Sequence, residues 1–472
     1  MEHIHLIGIG GSGLSAIAQV LLESGYRVSG SDRALSPMAA RVQAAGAQVF
    51  IGHHPDHLRG AAVVVRSSAI PDTNPEVLAA QAAGIPVLKR SDFLGRLTAG
   101  KWTVAVAGTH GKTTTTAMIA WMLRRLEQDP SYIIGGIAAN LDGNAHAGRG
   151  PYFVIEADEY DHMFLGLIPE VAIFTNIEHD HPDYYPTEAD FFAAFTAFSK
   201  RVPPKGLILY CIDDPGAVRL VQEISPAGCR VKGYGITPAR QPYLAQDVAP
   251  VVGGGMQFNA VCRGLVHKIE LQIPGIHNVR NALAALAVAD ELALSIDEAA
   301  QALAEFRGTG RRFEVHPATW GVTLIDDYAH HPTEIQATLA AARARYPEQR
   351  LWAVWQPHTY SRTRLLRSAF ARSFEAADKV VVTEIYAARE STPVDGFSAN
   401  QIVAEISRPD AHFMPKLDQA VEYLLNELQP GDVVLVLSAG DGDQINQQLV
   451  KALQERDLEH SDNGTSQVVH RI

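Results

Sequence analysis

Short apolar runs alternate with Ala- and Leu-rich stretches through most of the chain, and the alternation restarts twice. In the first block the runs His3 to Ile9, Arg27 to Ser29, Val63 to Arg66 and Pro86 to Leu88 predict strands, while Leu14, Ile17, Ala18, Leu21 and Leu22 follow helical spacing between the first two. A new strand opens at Trp102, followed by runs at Phe153 to Ile155, Val171 to Thr175 and Gly206 to Tyr210. Residues 238–271 are richer in Gly, Pro and Val and predict antiparallel strands, after which Asn278 to Ala289 reads as one helix closing the block. Beyond Gly308-Thr-Gly310, runs at Val322 to Ile325, Leu351 to Trp355, Lys379 to Val382 and Asp432 to Leu437 are separated by helical stretches, the pattern of a doubly wound sheet. Three α/β domains in series are therefore expected, at 1–98, 99–308 and 309–460. A polar tail, 461–472, is expected to be poorly ordered.

Composition narrows the class without naming a chemistry. A chain of 472 residues exceeds one ordinary domain, and 47% hydrophobic with 19% charged residues describes a soluble protein with ample core. No apolar run reaches bilayer length, and the first residues enter a strand instead of a charged and apolar leader, so neither membrane insertion nor secretion is expected. The three cysteines, Cys211, Cys229 and Cys262, are too few and scattered for a disulfide framework, which fits a reducing cytoplasm. A net charge of −12 argues against a nucleic-acid partner, although local anion sites remain open.

The run Val104-Ala-Val-Ala-Gly-Thr-His-Gly-Lys-Thr-Thr114 carries the strongest chemistry: an apolar strand, a glycine turn, and a Lys-Thr pair opening a helix. Gly108 and Gly111 let backbone N–H groups close on phosphate oxygens, Lys112 brings positive charge to the terminal phosphates, and Thr113 is placed to ligate Mg²⁺. Thr109, His110 and Thr114 complete this ATP loop; Val106 stands where the general pattern has its first glycine. At the start of the chain Gly8-x-Gly10-x-x-Gly13 follows a strand and precedes a helix, a dinucleotide or nucleotide-sugar turn, with Asp32 at the end of the next strand placed for a ribose hydroxyl or another ligand group.

Further strand ends gather polar groups. Glu156-Ala-Asp-Glu-Tyr-Asp161 supplies carboxylates for Mg²⁺, and Thr175-Asn-Ile-Glu-His-Asp-His181 crowds two histidines among acids, favouring magnesium with one imidazole ligand over zinc. Gly310-Arg-Arg-Phe-Glu314 offers adjacent guanidiniums suited to phosphate. Asp326-Asp-Tyr-Ala-His-His-Pro332 and Gln356-Pro-His-Thr-Tyr-Ser-Arg362 should project to one sheet edge and form a pocket for a carboxylate and an amine.

Together with Gly275-Ile-His-Asn-Val-Arg-Asn281, these motifs resemble the Mur ligase family, ATP-dependent enzymes that add amino acids to a UDP-muramyl precursor of peptidoglycan, over about residues 1–439. The resemblance implies a Rossmann-like first domain binding the UDP-sugar through Gly10, Gly11, Ser12, Gly13, Asp32, Ser67 and Ser68. It implies a central P-loop domain binding ATP and Mg²⁺, and a Rossmann-like third domain receiving the amino acid. Lys112 and Thr113 would grip phosphate and metal, Glu156 and His181 would complete a second Mg²⁺ site, and Asn278, Asn281, Arg312 and Asp327 would hold ATP. His330, His358 and Arg362 would contact the amino acid or the reacting carboxylate, with either histidine orienting or deprotonating the amine.

The longer motifs are most similar to the branch that joins L-alanine to UDP-N-acetylmuramate, and residues 189–198 contain no lysine, unlike several sister ligases. Tyr160, where that branch often has Ser, instead resembles the branch that reattaches a recycled tripeptide, and Ser438 stands where glycine is usual. The expected chemistry is an acyl phosphate formed from ATP and captured by the amine, in a monomer or homodimer. The rival readings are tripeptide ligation, an NAD-dependent dehydrogenase built on Gly8 to Gly13, and a non-catalytic ATP-binding regulator.

Overall fold

The computed structural model describes residues 2–224 and 228–466, with the backbone alone for 458–466. Three sheets follow one another along the chain. The first is parallel, in the spatial order Gln48–Ile51, Arg27–Asp32, His3–Ile7, Val63–Arg66, Val87–Lys89. Its first strand in sequence lies in the middle, so the crossovers leave it in opposite directions. A crevice opens at its C-terminal end, where Gly8 turns with φ +88° into helix Ser12–Glu23.

The second sheet has ten strands, and Trp102–Ala107 sits between Val171–Phe174 and Tyr152–Glu156, parallel to both. Its central strands are buried on both faces, which explains their continuous apolar runs. The far edge is the antiparallel set Tyr243–Pro250, Met256–Cys262 and Leu265–Leu271, as the composition of 238–271 predicts. Helix Ile276–Glu291 lies across this sheet with eleven of its residues buried; its Ala-rich surface lets it pack closely against helix Lys112–Arg125.

The third sheet is parallel apart from its first edge strand, in the order Glu314–Val315, Thr323–Asp327, Val433–Ser438, Leu351–Gln356, Lys379–Val382, Asp410–Phe413. The C-terminal ends of Thr323–Asp327 and Leu351–Gln356 deliver the two His-rich loops to one edge, which faces the phosphate loop.

The structure adds strands that periodicity does not reveal: Gln48–Ile51, Ser131–Ile133, Arg230–Gly235 and Asp410–Phe413. Each is short or partly exposed and carries polar or glycine residues, so packing on a neighbour decides it, not an intrinsic pattern. The last helix, Gln444–Ser466, carries regular backbone beyond 460, where poorly ordered chain is expected; residues 467–472 of that tail lie outside the described residues. No described helix is long and apolar enough to cross a membrane.

Candidate active site

The phosphate loop leaves strand Trp102–Ala107 through Gly108, whose φ of +145° only glycine adopts readily; a Cβ there would stand 2.0 Å from Thr175 Oγ1. Gly111, at φ +79°, then starts helix Lys112–Arg125, and its missing side chain makes room for Asn281 Oδ1 at 3.0 Å. Lys112 Nζ donates to the carbonyls of Gly108 (2.5 Å) and Thr109 (3.1 Å) and pairs with Glu159 at 2.9 Å. Burial disfavours its charge, yet Glu159 and Glu156 hold its pKa above the ordinary lysine value, so it is a cation at any working pH.

Thr113 Oγ1 donates to both oxygens of Glu156, at 3.1 and 3.0 Å, and Gly135 N–H donates to Glu156 Oε2 at 2.7 Å. Burial raises the Glu156 pKa in spite of Lys112, a sign that this carboxylate is short of positive charge. A hydroxyl and a carboxylate in contact, where Lys112 does not fully offset the cost of burying the charge, fit a hard divalent ion. His181 is placed differently from the expectation. Its Nε2 lies 3.6 Å from Glu159 and 3.8 Å from Asp180, so among the described residues it faces the carboxylate that holds Lys112 and not Glu156. His179, its partner in the sequence motif, bonds the carbonyl of Tyr185 at 2.9 Å and is structural.

A cavity of about 300 Å³ lies between the central and third domains. It brings together His110, Gly111, Thr113, Thr114, Asn278, Asn281, Arg312 and Asp327 from the expected ATP set, whereas Gly108, Thr109 and Lys112 are not among its lining residues. Asn278 Nδ2 donates to Pro274 O and Asn281 Nδ2 to Asn278 Oδ1, which fixes both amides. Arg312 stacks over Tyr328 at 5.1 Å. Asp327 accepts from the backbone N–H of Phe313 and Ala329, and burial lifts its pKa to about 6 despite Arg312. Glu334, in the first turn of helix Pro332–Arg345, is the hub on this side and carries no motif that marks it in the sequence. It meets His110 Nδ1 at 3.3 Å, Arg312 Nη1 at 3.4 Å and His330 Nδ1 at 3.4 Å.

A second cavity, of about 120 Å³, joins the first domain to the central one. Ser12 and Gly13 line one side, and Glu156 and Asp158 the other. Gly13 leaves room for the Arg90 guanidinium, since a Cβ would stand 1.6 Å from Arg90 Nη1 and displace it, and Arg90 reaches on to Asp158 at 3.4 Å. Asp32 braces the turn by accepting from Gly10 N–H at 2.8 Å, and Ser67 lies beneath Gly8, with Ser68 exposed beside it. Gly11 is exposed at the mouth of the turn.

On the third domain Arg362 is nearly inaccessible and bonds Asp180 through two nitrogens, at 2.6 and 3.2 Å, across the domain boundary. Its Nη1 also donates to His358 Nδ1 at 3.0 Å. Arg362 is expected to contact the amino acid or the reacting carboxylate; the structure adds Asp180 as its partner on the central domain, which residue type alone does not reveal. His330 and His358 lie 5.9 Å apart, ring to ring. Burial lowers the pKa of His330 to about 4 and, with His330 and Arg362 nearby, that of His358 to about 3.

Burial also lowers His277 and His331 to about 4. The unfolded chain protonates these four histidines below about 6.5 while the folded chain resists to about 4, so stability falls as pH drops through that window. The contribution is at most about 1.4 kcal/mol per pH unit for each group. His110 acts oppositely: burial opposes its charge, but Glu334 and Glu178 raise it to about 9, and its contribution, full below about 6.5, is lost as pH rises from there to about 9. Thermal melts are expected to show Tm falling between pH 6.5 and 5; a flat Tm over that range refutes the burial of neutral imidazoles.

Three stretches of the chain match one family in chain order: the Mur ligase family catalytic domain over 3–102, the Mur ligase middle domain over 106–289, and the Mur ligase glutamate ligase domain over 311–440. The chain belongs to the Mur ligase family. It is 42% identical to the UDP-N-acetylmuramate–L-alanine ligase of Salinibacter ruber, covering 99% of this chain and 97% of that one. It is 43% identical to the enzyme of the same name from Laribacter hongkongensis, over 95% and 97%. Among solved structures it is similar to a UDP-N-acetylmuramate-alanine ligase from Thermotoga maritima (TM-score 0.79, 29% identity, 97% and 100% covered). It is also similar to a murein peptide ligase from Psychrobacter arcticus (TM-score 0.70, 25% identity, 96% and 99% covered). Membership accounts for the glycine turn of the first domain without a nicotinamide cofactor, and the dehydrogenase reading falls.

Proposed function

We propose that the protein joins L-alanine to the lactyl carboxylate of UDP-N-acetylmuramate at the expense of ATP. The observation that carries the reading is the Thr113–Glu156 hydrogen bond: Thr113 lines the large cavity, Glu156 lines the small one, and the two cavities meet at this contact. A triphosphate in the first and a sugar carboxylate in the second would confront each other there. The carboxylate oxygen attacks the γ-phosphorus, ADP departs, and an acyl phosphate forms. The alanine amine then attacks the acyl carbon, phosphate leaves, and the amine proton passes to a base.

Mg²⁺, held by Thr113 and Glu156, would neutralise phosphate charge. Lys112 supplies the protein's own positive charge beside the loop, and closure of the three domains excludes water. The hydrogen bonds distinguish the two histidines. His330 Nδ1 sits 2.9 Å from the Tyr328 carbonyl, which only accepts, so Nδ1 carries the hydrogen and Nε2 the lone pair. His358 Nδ1 accepts from Arg362, leaving Nε2–H as a donor. These contacts support His330 as the proton acceptor and His358 as a donor to the carboxylate side. Tyr160, the residue that resembles the tripeptide branch, donates its hydroxyl to Asp183 at 3.1 Å and lies under Arg389 at 4.2 Å, so it is engaged in a contact between domains.

Phosphate release with UDP-N-acetylmuramate is expected with L-alanine, more weakly with L-serine and glycine, and hydroxylamine should trap the acyl phosphate as a hydroxamate. Turnover only with the recycled tripeptide overturns the alanine assignment, and ADP formation without any hydroxamate overturns the intermediate.

A further inference from the structure

Three side chains not assigned as a set converge where the third domain meets the central one. His110 comes from the phosphate loop, Glu178 follows strand Val171–Phe174, and His331 precedes helix Pro332–Arg345. One ligand atom of each lies within 4.8 Å of the other two. His110 Nε2 is 3.2 Å and His331 Nδ1 3.8 Å from Glu178 Oε2, and the two rings stand 4.7 Å apart. Around a tetrahedral ion with bonds of about 2.0–2.1 Å the ligand atoms are separated by about 3.4 Å, so both distances to Glu178 are close to what such an ion needs. His331 is 1% exposed, and its Nδ1, the atom that faces Glu178, accepts a long hydrogen bond from Thr333 N–H at 3.4 Å, which an ion at the site would displace.

We propose that His110, Glu178 and His331 form a site for a zinc-class divalent cation, separate from the Thr113–Glu156 pair, which staples the third domain to the central one. Two imidazoles and one carboxylate suit zinc or cobalt over magnesium, and three protein ligands leave a fourth position for water. The ion takes the place of the hydrogen shared by His110 and Glu178, which leaves as a proton. Neither domain holds the set alone, since His110 and Glu178 belong to the central sheet and His331 to the third.

The test is titration of the full-length, chelator-stripped protein with Co²⁺, without nucleotide, followed by visible absorption. One equivalent is expected to give the intense spectrum of four-coordinate cobalt, displaced by Zn²⁺, and Zn²⁺ should raise Tm. His331→Asn retains a side chain able to cap the helix and should weaken binding by about tenfold or more; Glu178→Gln should do the same independently. Glu156→Gln should leave the spectrum unchanged. Far-ultraviolet circular dichroism checks that each variant is folded. The proposal is overturned if the wild type gives only the pale six-coordinate spectrum, if both His331→Asn and Glu178→Gln bind as the wild type does, or if Glu156→Gln abolishes the signal.

Discussion

Lys112→Ala is expected to lower kcat for amide formation by about 10³-fold or more, while the affinity for UDP-N-acetylmuramate stays nearly unchanged. The size follows from position. Lys112 is the cation of the phosphate loop, buried beside Glu156 and Glu159, and a charge that acts on a transferring phosphoryl group away from water cannot be replaced by solvent. Its removal also leaves Glu159, 1% exposed, with His181 as its remaining counter-charge. Glu159 would then rise toward neutrality and add to the loss. Lys112→Met with Glu159→Gln separates the two effects: if the missing phosphate contact dominates, the double variant is as inactive as the single one. The first domain's glycine turn makes none of these contacts, so calorimetry should find the UDP-sugar still bound. Equal loss of sugar affinity and turnover would overturn the division of labour between the domains.

Residues that act through the backbone were legible before the fold was known. Glycine at Gly8, Gly13, Gly108 and Gly111 answers a local demand, a positive φ or a close approach, and the demand travels with the sequence motif. The large cavity accordingly gathers eight of the eleven residues expected to hold ATP. What stayed hidden depends on distances between domains. Asp180, Glu334 and Arg389 are ordinary charged residues whose partners lie on another sheet, and only the assembled structure pairs them with Arg362, His110 and Asp183. His181 shows the same limit: its motif suggested a ligand for Glu156's ion, but a left-handed backbone, φ +54°, turns it towards Glu159. The short strands went unread because a half-exposed edge imposes no period of its own.

Arg362→Met is expected to reduce kcat/KM by about 10²–10³-fold by opening the enzyme, with little effect on the stability of the separate domains. Asp180 and Arg362 are 3–4% exposed, and Asp180 is held well below the usual carboxylate range by Arg362 and His181 although burial opposes its charge. Removing one partner of such a pair leaves a buried charge uncompensated, at about 3–5 kcal/mol. This pair spans two domains, however, so Asp180 can recover its hydration if the third domain swings away. The penalty therefore falls on closure, and small-angle scattering should show a larger radius of gyration without an equal drop in Tm. Asp180→Asn combined with Arg362→Met removes both charges and should close again and regain part of the activity, because an apolar and a neutral side chain tolerate burial where a lone carboxylate does not. A substrate-binding arginine predicts otherwise: an unchanged radius of gyration, a rise in the KM for alanine alone, and no rescue in the double variant. That pattern would return Arg362 to the amino-acid site and leave the latch between the domains to Thr333–Glu178 and Arg389–Asp183.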